Sequence, residues 1–327
     1  MARIDPHDGS LALEWIHGSK DLGRRLVDPV VTIGNFDGVH RGHRAIMDTV
    51  LERARQLGGE AVVYTFEPHP RAVLQPDRAP RMLMTLDQKL EVLDSLGVDV
   101  VVVETFDAAF AKTSPETFVR SFLHERLRPR EVYVGYDFHY GRDREGSMRL
   151  LTETGPQLGF SVTIVPEVTV DGRDVNSTRI RELIEAGKVE DSKVLLGHTF
   201  AVRGQVVRGD ERGRTLGFPT ANLDSPNETL PAAGVYAGWA RVLDQEGRAL
   251  GAQPAVANIG VRPTFHRRGG LVIEVHLLDF EGDLYGRPLE FAFESRLRAE
   301  QRFSGVEALK AQIARDRDEA RRRLLPD

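Results

Sequence analysis

A chain of 327 residues exceeds what one hydrophobic core ordinarily supports, so two domains are expected. Hydrophobic residues at 41% and charged residues at 28% describe a globular rather than a disordered protein, and the lack of cysteine excludes a disulfide framework, a thiolate metal site and a cysteine nucleophile. The net charge of −5 argues against a nucleic-acid partner, and no run reaches the roughly 18 apolar residues of a membrane span, so the expectation is a cytoplasmic protein without a membrane partner.

From Pro29 to Ala186 short apolar runs alternate with amphipathic stretches, the pattern of βαβ units feeding a parallel sheet. Strands are expected at Val30 to Gly34, Ala61 to Phe66, Val98 to Glu104, Glu131 to Gly135 and Ser161 to Val165. Between them Ile46, Val50 and Leu51, or Leu86, Leu90, Leu93 and Leu96, recur at helical spacing and aim one stripe at the sheet. Doubly wound sheets bind ligands beyond the carboxyl ends of their strands, which directs attention to the loop after the first strand. Past the segment Gly187 to His198 the pattern changes to short strands broken by Gly, Pro and Asn, such as Gly234 to Val242, Ala255 to Ile259 and Leu271 to Leu278. That half reads as a small antiparallel β-barrel, with a charged terminal helix from Gly305 packing across it through Val306, Leu309 and Ile313. The fold class is therefore α/β followed by β.

The first expected strand runs into GNFDGVHRGH and then a helix over Arg44 to Leu57. Gly34, Gly38 and Gly42 let the backbone approach a phosphate, and the helix N-terminus adds unpaired N–H groups. His40 and His43, three apart, share one side and can both donate to one anion. An HxxH pair on a helix also occurs as a metal pair, but no third ligand stands nearby in the sequence.

HRGH matches the HxGH signature of nucleotidyltransferases. With TFEPHP at Thr65 to Pro70, GYDFHYG at Gly135 to Gly141 and NSTRIR at Asn176 to Arg181, the chain resembles the prokaryotic bifunctional riboflavin kinase/FAD synthetase family. Asn176 replaces the first serine of that family's pattern. The resemblance implies a Rossmann-like FMN adenylyltransferase domain over residues 1–186 and a riboflavin kinase domain over 187–327, converting riboflavin to FMN and then to FAD with ATP and Mg²⁺. It implies that His40 and His43 stabilise the α-phosphate under attack, and that Gly34, Phe36, Asp37, Gly38, Asp137, Ser177, Thr178 and Arg181 bind nucleotide. Asp137 reads equally as a turn residue, His69 between two prolines can simply shape a turn, and Phe66 and Phe138, if flavin-facing, compete with an ordinary place in the core.

No GxxxxGK[ST] string occurs, which disfavours a P-loop kinase. Instead RGDERGRTLGFPTANL supplies a glycine loop followed by Thr220 and Asn222. By resemblance this is the riboflavin kinase signature, in which Gly209, Gly213, Thr220 and Asn222 bind nucleotide, and Thr220 and Asn222 also hold Mg²⁺. Glu274, in IEVHLLDFEGDLYG, takes the place of the family's catalytic glutamate, although by alternation alone it belongs to the solvated face of a strand. GVYAG, NIGVRPTF and LRAEQRF match as fold markers, and Arg298 in the last either reaches the flavin or is a solvated arginine. Partners are expected to be small molecules, with homo-oligomer formation left open.

Overall fold

Val100 to Val103 offer no polar side, and a strand that is apolar on both faces belongs inside a sheet covered by helices. In the computed structural model, which describes residues 13–142, 146, 148–209, 217–244, 247, 249–261 and 271–325, this strand lies within the sheet of the first of two compact units. The first unit comprises Met1–Pro80 and Leu86–Asn176, the second Arg81–Thr85 and Ser177–Asp327.

The first unit is built on six parallel strands, β1 (Glu14–His17), β2 (Val30–Ile33), β3 (Ala61–Glu67), β4 (Val100–Thr105), β5 (Glu131–Gly135) and β6 (Ser161–Val165), in the order β1-β4-β3-β2-β5-β6. Five were expected; the sixth, β1, is a four-residue edge strand pairing with β4. On one face Val31, Ile33, Val62, Tyr64, Val100, Val102, Val132 and Val134 pack against Phe118, Leu123 and Leu127 of a π-helical segment, Phe118–Leu127. On the other, Val30, Ala61 and Tyr133 receive Ile46, Val50 and Ala54 of α1 (Arg41–Leu57), which starts three residues earlier than expected. The chain also forms the short helix α2 (Pro70–Leu74), α3 (Leu86–Ser95) and a two-residue antiparallel pair, β7 (Thr169–Val170) with β8 (Arg173–Asp174). The strand order reverses between β2 and β5, so the loops leaving these two neighbours flank the topological switch point. Those loops are GNFDG and GYDFHYG.

In the second unit six antiparallel strands close a barrel: β9 (Ala201–Val207), β10 (Ala221–Asp224), β11 (Gly234–Leu243), β12 (Ala249–Val261), β13 (Leu271–Leu277) and β14 (Pro288–Ala299). Their order is β10-β13-β12-β11-β14-β9. Alternation along β13 buries Ile273, Val275 and Leu277 and leaves Glu274 and His276 on the other face, as expected. Inside, Tyr236 and Phe291 meet Phe293 edge-on, with centroids 5.4 and 4.8 Å apart. Residues Arg81–Thr85 join this unit by hydrogen bonds: Thr229 N–H donates to the Met82 carbonyl, and the Glu228 carboxylate accepts from the Met82 N–H.

The terminal helix (Val306–Leu324) does cross the barrel, with Ala320 and Leu324 packed against Ala237, Trp239, Val256 and Leu297. Its seam keeps the expected face but is set further along it: Leu309 and Ile313 are half-buried, and the stripe deepens toward the C-terminus. Val306 is 56% exposed, and Asp316, Ala320 and Leu324 are the buried positions. The buried end of that stripe holds an ion pair that apolar periodicity does not register: Asp316 receives Arg298 of β14 through Nη2 at 2.8 Å and Nε at 3.0 Å.

Candidate functional site

In the first unit a tight loop delivers both histidines. Phe36 and Val39 take left-handed φ values of 50° and 39°, and Gly38 one of 83°. A Cβ on Gly34 would lie 3.0 Å from the Phe36 ring, so glycine is needed where the strand turns over that buried side chain. His40 then caps α1: its Nδ1 accepts the His43 backbone N–H at 3.3 Å. That bond fixes the tautomer. A neutral His40 then carries its hydrogen on Nε2. The two imidazoles stack with centroids 3.5 Å apart and planes 17° from parallel, and Phe36 closes edge-on against His43 at 5.2 Å. Gly42 lies under the stack; a Cβ there would stand 3.2 Å from the His40 ring and 3.4 Å from the Val175 carbonyl oxygen.

Two buried charges lie beside this loop, Asp37 at 2% exposure and Lys89 at 1%. Lys89 of α3 donates from Nζ to the Asn35 carbonyl at 2.9 Å, and Thr65 Oγ1 shares that acceptor. Burial lowers the Lys89 pKa, while Asp37 and Glu67 oppose the shift. His43 is held well below the ordinary histidine value by burial first, then by His40 and Lys89. It is therefore neutral at pH 7, and its Nδ1 is buried with no hydrogen-bond partner among the described residues. Sequence reading passed over Lys89 because a helical lysine is normally solvated, yet its position three after Leu86 and four before Leu93 puts it inside the apolar stripe.

The remaining expected residues of this half are spread more widely. Phe66 and Phe138 are partly buried against the main apolar cluster, Phe66 among Tyr64, Phe106 and Phe110, and Phe138 stacked on Tyr140. His69 caps α2, its Nδ1 accepting from the Arg71 N–H at 3.1 Å. Asp137 is exposed in the turn after β5. Ser177, Thr178 and Arg181 lie on a helix (Ser177–Glu185) of the second unit, Ser177 and Thr178 in its first turn, while Arg181 donates to the Arg81 carbonyl at 2.7 Å.

In the second unit the barrel register assembles the constellation. Asn222 of β10 is the cross-strand partner of Glu274 on β13, and Glu274 in turn faces Asn258 on β12. Asn258 Nδ2 donates to Glu274 Oε2 at 3.3 Å. Gly209 covers Asn222 so closely that a Cβ there would fall 2.5 Å from the Asn222 Cγ. Thr220 is half-buried just ahead of β10. Gly213 lies outside the described residues, as does most of the loop it belongs to. Asn258, read from sequence as a fold marker, is thus a direct neighbour of the carboxylate. Arg298 is committed to Asp316, with 19% and 7% of the two side chains exposed.

Residues 24–179 match the family model for FAD synthetase and residues 196–324 that for riboflavin kinase, which sets the chain in the class of two-module transferases. Bifunctional riboflavin kinase/FMN adenylyltransferase of Escherichia coli K12 is 42% identical over 294 residues, covering 89% of this chain and 91% of the relative. The Pseudomonas fluorescens protein of the same name is 41% identical over 314 residues, covering 96% and 99%. A solved Streptococcus pneumoniae structure described as a macrolide-efflux protein superposes with a TM-score of 0.82 at 30% identity, covering 95% of this chain and 99% of that one. The chain belongs to the family of bifunctional riboflavin kinases/FMN adenylyltransferases. No helix among the described residues is long and apolar enough to cross a membrane.

Proposed function

We propose that this chain phosphorylates riboflavin with ATP, giving FMN and ADP, and then adenylylates FMN with a second ATP, giving FAD and pyrophosphate. Residues 1–186 carry the adenylyl transfer and 187–327 the kinase. What supports the reading is the presence of two constellations of unlike chemistry, a stacked imidazole pair in the first unit and a carboxylate between two asparagines in the second.

In adenylyl transfer the FMN phosphate is already ionised and attacks the α-phosphorus without a base, so the protein has only to align reactants and meet developing charge. His40 and His43, stacked on one another, together stabilise the α-phosphate under attack. Gly34, Phe36, Asp37 and Gly38 shape the nucleotide loop, with Asp137 contributing from the neighbouring strand end; Ser177, Thr178 and Arg181 are assigned to nucleotide binding by the family resemblance. Phe66, His69 and Phe138 border the flavin. In the kinase the Glu274 carboxylate accepts the proton of the ribityl alcohol as that oxygen attacks the γ-phosphorus. Gly209, Gly213, Thr220 and Asn222 hold the nucleotide, and Arg298 bounds the flavin side through its clamp on the terminal helix. The hydroxyl of Thr220 and the amide oxygen of Asn222, beside a carboxylate, are hard oxygen donors of the kind Mg²⁺ takes. Bound there with the phosphates, Mg²⁺ would neutralise their charge. The setting is cytoplasmic, with small-molecule partners and no nucleic acid.

The test is chromatography of flavins after mixing the protein with riboflavin, ATP and Mg²⁺. Both FMN and FAD are expected, and FMN alone would remove the adenylyltransferase half. His40→Ala should slow FAD formation by the ~3 kcal/mol of one lost preorganised donor while sparing FMN formation. Glu274→Gln should do the reverse, and an unchanged kinase turnover would take Glu274 out of the mechanism.

A further inference from the structure

Strand β10 begins at Ala221, opposite Val275, and the backbone ladder to β13 covers only Ala221, Asn222 and Leu223. Thr220 therefore stands one residue outside the paired region, where the register would bring it alongside His276. Just ahead of it, Pro219 has no N–H to give to any ladder. Its carbonyl still accepts, and His276 meets it: the imidazole Nδ1 lies 2.8 Å from the Pro219 oxygen. A carbonyl accepts and never donates, so the ring carries its hydrogen on Nδ1. Phe218 fixes the ring from the side, edge-on at 5.8 Å.

We propose that His276 is a positioning residue of the kinase site, tying the strand that bears Glu274 to the loop that bears Thr220, so that the alcohol's base and the nucleotide's hydroxyl ligand move as one body. The proposal rests on the reading of Thr220 and Glu274 given above. Glu274 and His276 are two apart on one face of β13, so a single strand supports the carboxylate and, through the imidazole, the nucleotide loop. In-line phosphoryl transfer needs both ends of the reaction placed together, and misplacement by about 1 Å costs on the order of 10²-fold in rate.

The experiment is steady-state kinetics of FMN formation for the full chain with His276→Ala, His276→Asn and His276→Gln. Asparagine puts an amide N–H where Nδ1 stood; glutamine extends past it. Alanine and glutamine are expected to lower kinase kcat by ten- to a hundredfold and raise the KM for ATP, leaving the KM for riboflavin unchanged. Asparagine should recover most of the loss, and His276→Ala should cost nothing further in a Thr220→Ala background. A Gln variant as active as Asn, or losses that multiply in the double variant, would overturn the proposal. The site reading fails separately: if Thr220→Ala and Glu274→Gln both turn over normally, the kinase site itself is misassigned. If they are crippled while His276→Ala is not, only the role of His276 falls.

Discussion

Gly209→Ala isolates the kinase site with one carbon atom. The new Cβ would lie 2.5 Å from Cγ and 2.6 Å from Oδ1 of Asn222, where heavy atoms in comfortable contact keep roughly 3.5 to 4.0 Å. The Asn222 amide must therefore retreat by about 1 Å, and being half-buried it can do so by rotating toward solvent. The fold survives this, because replacing glycine also reduces the freedom of the unfolded chain, worth about 0.4 to 1 kcal/mol. FMN formation is expected to slow on the order of 10²-fold if Asn222 holds the nucleotide as proposed, because its amide would be displaced by that much. The assay is the initial rate of FMN formation, with FAD formation from supplied FMN measured on the same preparation as an internal control. In an Asn222→Ala background the extra methyl has nothing to strike and should add no loss. An unchanged FMN rate in the single variant, or a full additional loss in the double, would refute the reasoning.

Two further outcomes follow from buried charge. His43 binds a proton far less readily when folded than in the unfolded chain, where its pKa is near 6.5. Below that value the unfolded state gains a proton that the native state refuses, so stability should fall as pH drops, by up to about 1.4 kcal/mol per pH unit from this group, and be insensitive to it above. Urea titrations of the chain and of His43→Gln between pH 7 and pH 5 check the sign: the variant should show the shallower dependence. Asp316→Ala strands a mostly buried Arg298 guanidinium and should lower the unfolding free energy by about 2 to 3 kcal/mol, read in urea, with the FAD rate at low denaturant unchanged.

The chemistry-bearing loops were legible because each is written in contiguous residues. GNFDGVHRGH announces its glycines and its histidines together, and the alternation over Leu271 to Leu277 sorts Glu274 from the core. What escaped was assembled across distance. Lys89 reaches the Asn35 loop from a helix more than fifty residues on, and Asn258 meets Glu274 only through strand register. The edge strand Glu14–His17 is too short to show a period. On the terminal helix the apolar stripe held at Leu309 and Ile313 but not at Val306, and its buried charged member, Asp316, escaped because only apolar residues were sought.

The carboxylate of Glu274 lies on the outer wall of a barrel whose bore is filled with Tyr236, Phe291 and Phe293. Along the regular strand that bears Glu274 each residue answers to one master only, since alternate positions face opposite sides. An engineer can thus recut the aromatic plug for heat tolerance and leave turnover alone, or retune the reactive shell without loosening the plug.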